Sequence, residues 1–480
     1  MHRAIRATWE LTVKQNPKSS RERAVLSSGS DTAPVGASPR LPKTRAYAWY
    51  VAGLLALANI TSIMDRYLLS VVLEEVKRDL RLSDTQLGVL QGPGFIALFV
   101  VASVPLGRVA DIFSRRFTIV AALLFWSLAT AGCAFAHTFY QLLLARLAVG
   151  LGEAALLPCA MSLITAYFSM AKLNRGMAVY TTGGSLGRVA GFAGGGAALS
   201  YFAARHGLGP SLFSTTFAPW QSVFLLAAAT GAMVATFIAI LVREPPRSTI
   251  GRSKVTLTVG FRHFWLHRRA YFAVFVPFGM LNAIAQLLTA WTVSFFIREH
   301  GRTAASAGAL IGTLGLLFGP VGHLTGGWLN DVLAARGVRG VQPLVLRFVL
   351  LMLPLFIALF VVAPSVPLAA TFFGAAYFSI CVATPTGYAG AQAPTPDTFR
   401  GVVSAIFLIF FTVLGTGVGP LVVGLMGDYV FHRESMLGAS IVTTTLLLAM
   451  VGIPFTVFGR ESFACAVEHN ANGTAETHIS

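Results

Sequence analysis

The chain has 480 residues, 55% of them apolar and only 11% charged, where soluble domains carry roughly 25% charged residues. That excludes an ordinary soluble protein, and it moves the formal net charge of +17 from nucleic-acid binding to loops on one side of a membrane. The apolar stretches recur at the ~20-residue length of a spanning helix, without the alternating ~10-residue segments of a membrane barrel.

The first 45 residues are polar, carry nine Lys/Arg and contain no apolar run that would make a secretory signal. They read as a disordered cytoplasmic tail, although the Ser- and Arg-rich composition also fits an organellar transit peptide. Twelve spans follow, near 47–72, 86–107, 117–136, 139–168, 176–203, 221–242, 270–297, 304–328, 343–363, 367–390, 401–427 and 437–459. Lys and Arg fall 26 times on the side of the amino terminus and 7 times on the other. This asymmetry predicts a multi-pass protein with both termini cytoplasmic, in a plasma or inner membrane.

Between spans six and seven lies the longest inner connection, 244–269, where Pro245 and Pro246 stop the preceding helix. The rest of it is basic with interleaved aromatics, which between two spans predicts a surface helix against anionic lipid and no nucleic acid. It divides a six-helix bundle at 46–243 from a second at 270–460, with 461–480 as another cytoplasmic tail. Cys133, Cys159, Cys381 and Cys465 form no CxxC, so neither a disulfide framework nor a metal site is expected.

A shift of 220 residues superimposes the two halves: Ser83 on Thr303, Gly88 on Gly308, Gly107 on Gly327, Asp111 on Asp331 and Arg116 on Arg336. Two parallel six-span repeats with a site between them near the midplane describe a rocking transporter. The loop "GRVADIFSRR", Gly107 to Arg116, and its echo "GWLNDVLAARG" suit a paired latch. Gly permits a tight turn, Asp111 can face a helix amino terminus, and Arg115 and Arg116 hold the inner surface. A solvated positive-inside loop is the plain alternative. "LSDTQL", Leu82 to Leu87, is a capping box opening span two.

Charges inside the spans are costly and mark functional candidates. In the first half they are Asp65, Arg66, Arg146, Glu153 and Arg188. Arg146 and Glu153 are seven residues apart, on one helix face and about 10 Å apart along it, so each needs another partner. Matching depths predict an Asp65–Arg146 pair, with Glu153 served by Arg66 or Arg188. Glu153 is the foremost candidate to take up and release a proton, ahead of Asp65, and Arg188 is a candidate anion contact. A static ion-pair network that sets helix packing is the competing reading. Spans seven to twelve hold no internal charge, and offer Asn282, Gln286, Trp291, Tyr377, Thr384 and Tyr388 as cavity lining. Glycines at 183, 187, 191 and 195 in span five make a smooth stripe, expected against the opposite half.

The two six-span halves and the loop pattern G-x-x-x-D-x-x-x-R-R resemble the major facilitator superfamily, with Ser114 where that pattern has a second Gly. Within it, "MDRY" at 64–67 and "RLAVGLGEA" at 146–154 are similar to Spinster-like transporters. The resemblance implies an all-α membrane protein of twelve helices in two pseudo-symmetric bundles, working by alternating access. It also implies that Asp65, Arg66, Arg146 and Glu153 form the polar centre of the first half, and that lysolipids and sphingoid phosphates are among the substrates of the family. Span five lacks the Gly-Pro signature of many drug–proton antiporters of the superfamily. The expected function is proton-coupled secondary transport, by a monomer, of a small organic or amphiphilic anion, whether lysolipid-like, sugar-phosphate-like or an aromatic acid. Alternatives are an uncoupled facilitator, an intramembrane enzyme or a transporter-like receptor. No ATP motif and no HExxH, GxGD or Ser/Lys arrangement is present, so no enzyme activity and no cofactor are expected.

Overall fold

A computed structural model describes residues 45–168, 170–205, 217–245 and 257–479. The tail at 1–44, linker residues 246–256 and the side chain of Asp111 lie outside the described residues. Eleven helices are long and apolar enough to cross a membrane. Span five is the twelfth, running through Met170–Val189, a π-turn at Ala190–Gly194 and Gly195–Ala204. Its Arg, Thr, Ser and Gly residues dilute its hydropathy below that of the others.

Several helices outrun the bilayer. Span one is Arg45–Leu80, 36 residues where about 20 suffice, and its extra turns carry Glu74 and Lys77 beyond the apolar core. Span seven, Arg268–His300, and span eight, Ala304–Ala335, are similarly long. Arg347 lies within the ninth helix, Val341–Val362, so the second half is not wholly without charge in its spans; it sits near the helix start, towards the expected inner edge.

Two breaks shape the first half. Pro158 has no N–H and its ring crowds the carbonyl of Ala154, so span four is split into Phe139–Glu153 and Leu156–Tyr167. Span two is split at Gly92–Pro93, between Asp84–Gln91 and Pro93–Ile112. Glu153 and Gln91 are therefore the last residues before breaks.

The repeat is visible in the geometry. Ser83 Oγ accepts from Gln86 N–H at 3.2 Å, and Thr303 Oγ1 accepts from Ser306 N–H at 3.2 Å, each capping the first turn of its half's second span. Gly88 in span two lies so near span eleven that a Cβ would stand 2.6 Å from the Pro420 carbonyl oxygen. Its counterpart Gly308 in span eight meets the Phe192 carbonyl in span five closer still. Phe192 lies in the π-turn at 190–194, and Pro420 follows two residues after another at 411–418. Asn282 Nδ2 donates to the Phe411 carbonyl at 2.9 Å, satisfying an acceptor where the second π-turn begins.

The glycine stripe does not face the opposite half as expected. A Cβ on Gly183 or Gly187 would strike the Ala56 or Ile60 carbonyl of span one, in the same half. A face about 100° away, at Gly196, meets Ala305 of span eight. Span five thus uses one face for its own bundle and the next for the seam between bundles.

That seam is closed at the end remote from the start of span one. Arg298 of span seven forks onto Asp84, with both bonds at 2.9 Å, and reaches Glu74 at 2.9 Å. Lys77 lies 2.8 Å from Asp84 and 2.6 Å from Glu434. At the other end Glu244 holds the first turn of span three, accepting from Arg116 N–H at 2.8 Å and Ser114 Oγ at 2.9 Å. It is an anion at a helix amino terminus, favoured by the dipole. All of those partners belong to one half.

Candidate transport site

The polar centre lies where the two halves meet at mid-depth. Glu153 is 2% exposed, and its Oε2 accepts from Ser62 Oγ at 2.7 Å and from Arg66 Nε at 2.8 Å. Arg66 Nη2 also lies 2.8 Å from the same oxygen. Oε1, equally buried, has no partner. Of the two partners expected for Glu153, Arg66 makes the pair and Arg188 does not.

The expected Asp65–Arg146 ion pair is absent among the described residues. Asp65 Oδ2 instead accepts from Thr130 Oγ1 of span three at 2.5 Å, while Oδ1 is buried without a partner. Arg146 is 2% exposed, and its Nε and Nη1 have no hydrogen-bond partner. Its guanidinium lies 5.6 Å from the ring centroid of Phe95, and Arg66 lies over the same ring at 4.6 Å. Phe95 thus holds two cations near one another without neutralising either. Matching depth was a sound criterion, but the third span intervened.

A cavity of ≈ 60 Å³ opens beside these groups, lined by Arg66, Tyr67 and Arg146 from the first half and by Gln286, Thr289 and Thr416 from the second. It has room for a few waters or one small polar group. Gln286 Nε2 lies 3.4 Å from Thr416 Oγ1, a long bond that leaves both groups largely free for another partner. Gln91 accepts from Ser70 Oγ at 2.8 Å and donates to the Ala290 carbonyl across the seam at 3.3 Å. Tyr67, Ser70, Gln91, Thr289 and Thr416 escaped the sequence reading, because a neutral polar residue in a spanning helix is common. The one available signal was Gln91 beside the Gly-Pro break.

Arg188 sits apart from Glu153. Its guanidinium lies 5.4 Å from the Tyr67 ring and 5.6 Å from the Tyr377 ring, so it bridges the halves through two aromatic faces. Its Nε is buried and unpartnered. Of the other expected lining residues, Trp291 is fully buried, with Nε1 donating to the Pro420 carbonyl at 3.1 Å, and Asn282 is engaged with Phe411. Thr384 Oγ1 donates back to the Ile380 carbonyl, and Tyr388 meets Phe278 and Phe407 edge-on and Phe411 at a tilt. In the latch, Asp331 and Arg336 are exposed, and Gly107 has open space around it. Arg115 and Arg116 bind within the first half, on the Ser162 and Ala239 carbonyls.

Comparison with known proteins agrees with this architecture. A family model described as Major Facilitator Superfamily matches residues 55–420. An MFS-type efflux pump of Mycolicibacterium smegmatis is 28% identical over 406 residues, 85% of this chain and 90% of that protein. A probable L-galactonate transporter of Escherichia coli is 22% identical over 304 residues, 60% of this chain and 63% of that protein. Among solved structures, a bacterial homolog of the human lysosomal transporter Spinster, in an inward-facing and unoccupied conformation, has a TM-score of 0.74 at 22% identity. It matches 89% of this chain and 98% of that one.

Proposed function

The chain belongs to the Major Facilitator Superfamily and is a membrane transporter, not an enzyme; we propose that it is a proton-coupled carrier of a small or amphiphilic organic anion. The observation that carries this reading is Arg146, buried at the cavity with two donor nitrogens unused. An unsatisfied buried cation is costly and is retained where a ligand completes it. Its planar fork suits a carboxylate or phosphate. Gln286, Thr289 and Thr416 of the other half face the same space, so a bound anion would touch both bundles. The galactonate named for one relative is an anion of this kind.

Glu153 is the proton carrier in this scheme. Arg66 is its ion-pair partner, and in this scheme Arg66 moves onto the substrate anion while Glu153 exchanges the proton. With the termini cytoplasmic, as the distribution of Lys and Arg indicates, the closed seam faces outward.

The test is proton movement into sealed proteoliposomes containing a pH dye, on addition of a lysophospholipid, a sugar acid or an aromatic acid. The expected result is a substrate-triggered signal in the wild type that is lost in Glu153→Gln. Labelled substrate crossing equally in both, with no proton signal, would make the protein a uniporter whose buried charges bind or pack.

A further inference from the structure

Two pockets that share Arg269 make a groove at the start of span seven, bounded by the end of the linker helix Leu257–Leu266, the end of span twelve and the terminal helix Arg460–Ile479, which lends Ser462 and Ala466 to the basic side. One side of it is basic, with Arg268 and Arg269. The other is apolar, with Phe272, Phe455 and Phe458, and Arg269 is common to both. Phe458 is 83% exposed and Leu266 67%. Arg268 lies 5.3 Å from the ring centroid of Trp265 and donates to that residue's carbonyl at 3.1 Å.

Neither arginine has a carboxylate within 4 Å among the described residues. In the adjoining terminal helix, Glu461 and Glu468 are engaged elsewhere, lying 3.0 Å and 2.7 Å from Arg339. Two adjacent cations without counterions therefore stand at the mouth of an apolar channel. Arg268 is the first residue of span seven and Phe458 the last of span twelve, and Gly459 packs directly on the Arg269 carbonyl, so both walls lie at one level.

We propose that this groove is a binding site for an anionic phospholipid of the leaflet it faces. The phosphate sits on Arg268 and Arg269, whose guanidinium groups donate to its oxygens in a fork, and one acyl chain lies along Phe272, Phe455 and Phe458. Span ends place the arginines at headgroup depth and the phenylalanines at the edge of the hydrocarbon, with Trp265 as an interfacial anchor. A soluble phosphate would use only the basic wall and leave the apolar one wet. A zwitterionic choline lipid would bring its own cation towards the two arginines. Because the lipid touches the linker and both ends of the second bundle, it would fix the linker helix against that bundle.

The test is native mass spectrometry of the full chain in detergent, titrated with phosphatidylglycerol and with phosphatidylcholine of the same chain length. We expect retention of phosphatidylglycerol about tenfold above phosphatidylcholine, falling to parity in R268Q/R269Q and persisting in R268K/R269K. Arg262→Gln, on the linker helix and outside the groove, should leave the preference intact. Equal retention of the two lipids by the wild type, or an unchanged preference in R268Q/R269Q, would overturn the site. Should the glutamine pair fail to fold, glycerol phosphate serves instead: full displacement of the lipid by it at equal concentration would show a water-soluble phosphate site and overturn the proposal.

Discussion

Asp428 of span eleven accepts from the backbone N–H groups of Asp84, at 3.2 Å, and Thr85, at 2.7 Å. A carboxylate of one half thus caps the first turn of a helix in the other half, where the helix dipole favours an anion. Asp428→Ala should loosen the closed end by about 1 kcal/mol. The readout is external maleimide labelling of a cysteine placed at Gln91, in a Cys465→Ser background. Labelling should rise about fivefold, and unchanged labelling would show that the cap does not hold the seam.

Arg298→Leu should act in the same direction and more strongly. It leaves Glu74 without its cation and Asp84 with Lys77 alone, in a place where the Asp84 and Glu74 side chains are 6% and 10% exposed. Breaking such a buried pair costs about 3–5 kcal/mol, enough to invert an equilibrium between closed and open ends. Replacing Asp84 by Asn in the same chain should recover part of the loss, and the double-mutant cycle measures the coupling.

Arg146→Met separates binding from folding. Since Nε and Nη1 of Arg146 hold no partner, their removal should leave the thermal midpoint equal or higher while substrate-driven transport is lost. Arg146→Lys keeps the charge without the fork and should raise KM more than it lowers kcat. A drop of the midpoint by many degrees in Arg146→Met would mean that the residue is part of the scaffold.

Gly308→Val places a side chain against the Phe192 carbonyl, where not even a Cβ fits. The closed seam should become inaccessible, so the Gln91 position should label from outside and turnover should stop. Gly107→Ala, at a position with open space around it, should be silent in the same assay.

The linker helix should answer to pH. The His263 ring stacks on Phe399 at 4.6 Å, its Nε2 is 3.1 Å from the Tyr271 hydroxyl, and His267 lies 4.5 Å away, ring to ring. Burial, and then His267, hold the imidazole below its ordinary range. The packed form is the neutral one, so docking is fully stable above the unfolded value near 6.5 and weakens as pH falls from there towards the depressed pKa. Hydrogen exchange across 257–266, corrected for intrinsic rate, should show less protection at pH 5.5 than at 7.5, and His263→Phe should abolish the difference.

Span number, the repeat and the capping box were legible because each rests on local pattern: length and apolarity, constant offset, or a three-residue spacing. The Arg66–Glu153 pair was half legible, as one of two partners allowed by depth. The pairing of Asp65 was not, because Thr130 comes from span three, and nothing in the sequence says which way a hydroxyl in that helix faces. The glycine stripe was read on the wrong neighbour for the same reason: spacing gives a face, and only packing says what meets it. Glu244 went unnoticed since a single acid at the head of a basic linker carries no pattern, although its hydrogen bonds fix the start of span three.

The glycine contacts at 88 and 308 bear on membrane voltage. Backbone packs on backbone at both positions, so if the closed end faces outward, as proposed, the barrier between cavity and outer medium is a thin seam. A transmembrane potential falls where the dielectric is low, and here that is across a fraction of the bilayer thickness. Any net charge carried from Arg146 to the outer surface then crosses most of the field, worth about 2.3 kcal/mol per elementary charge per 100 mV. A cell that lowers its potential would slow or hasten this transporter without touching its substrate site.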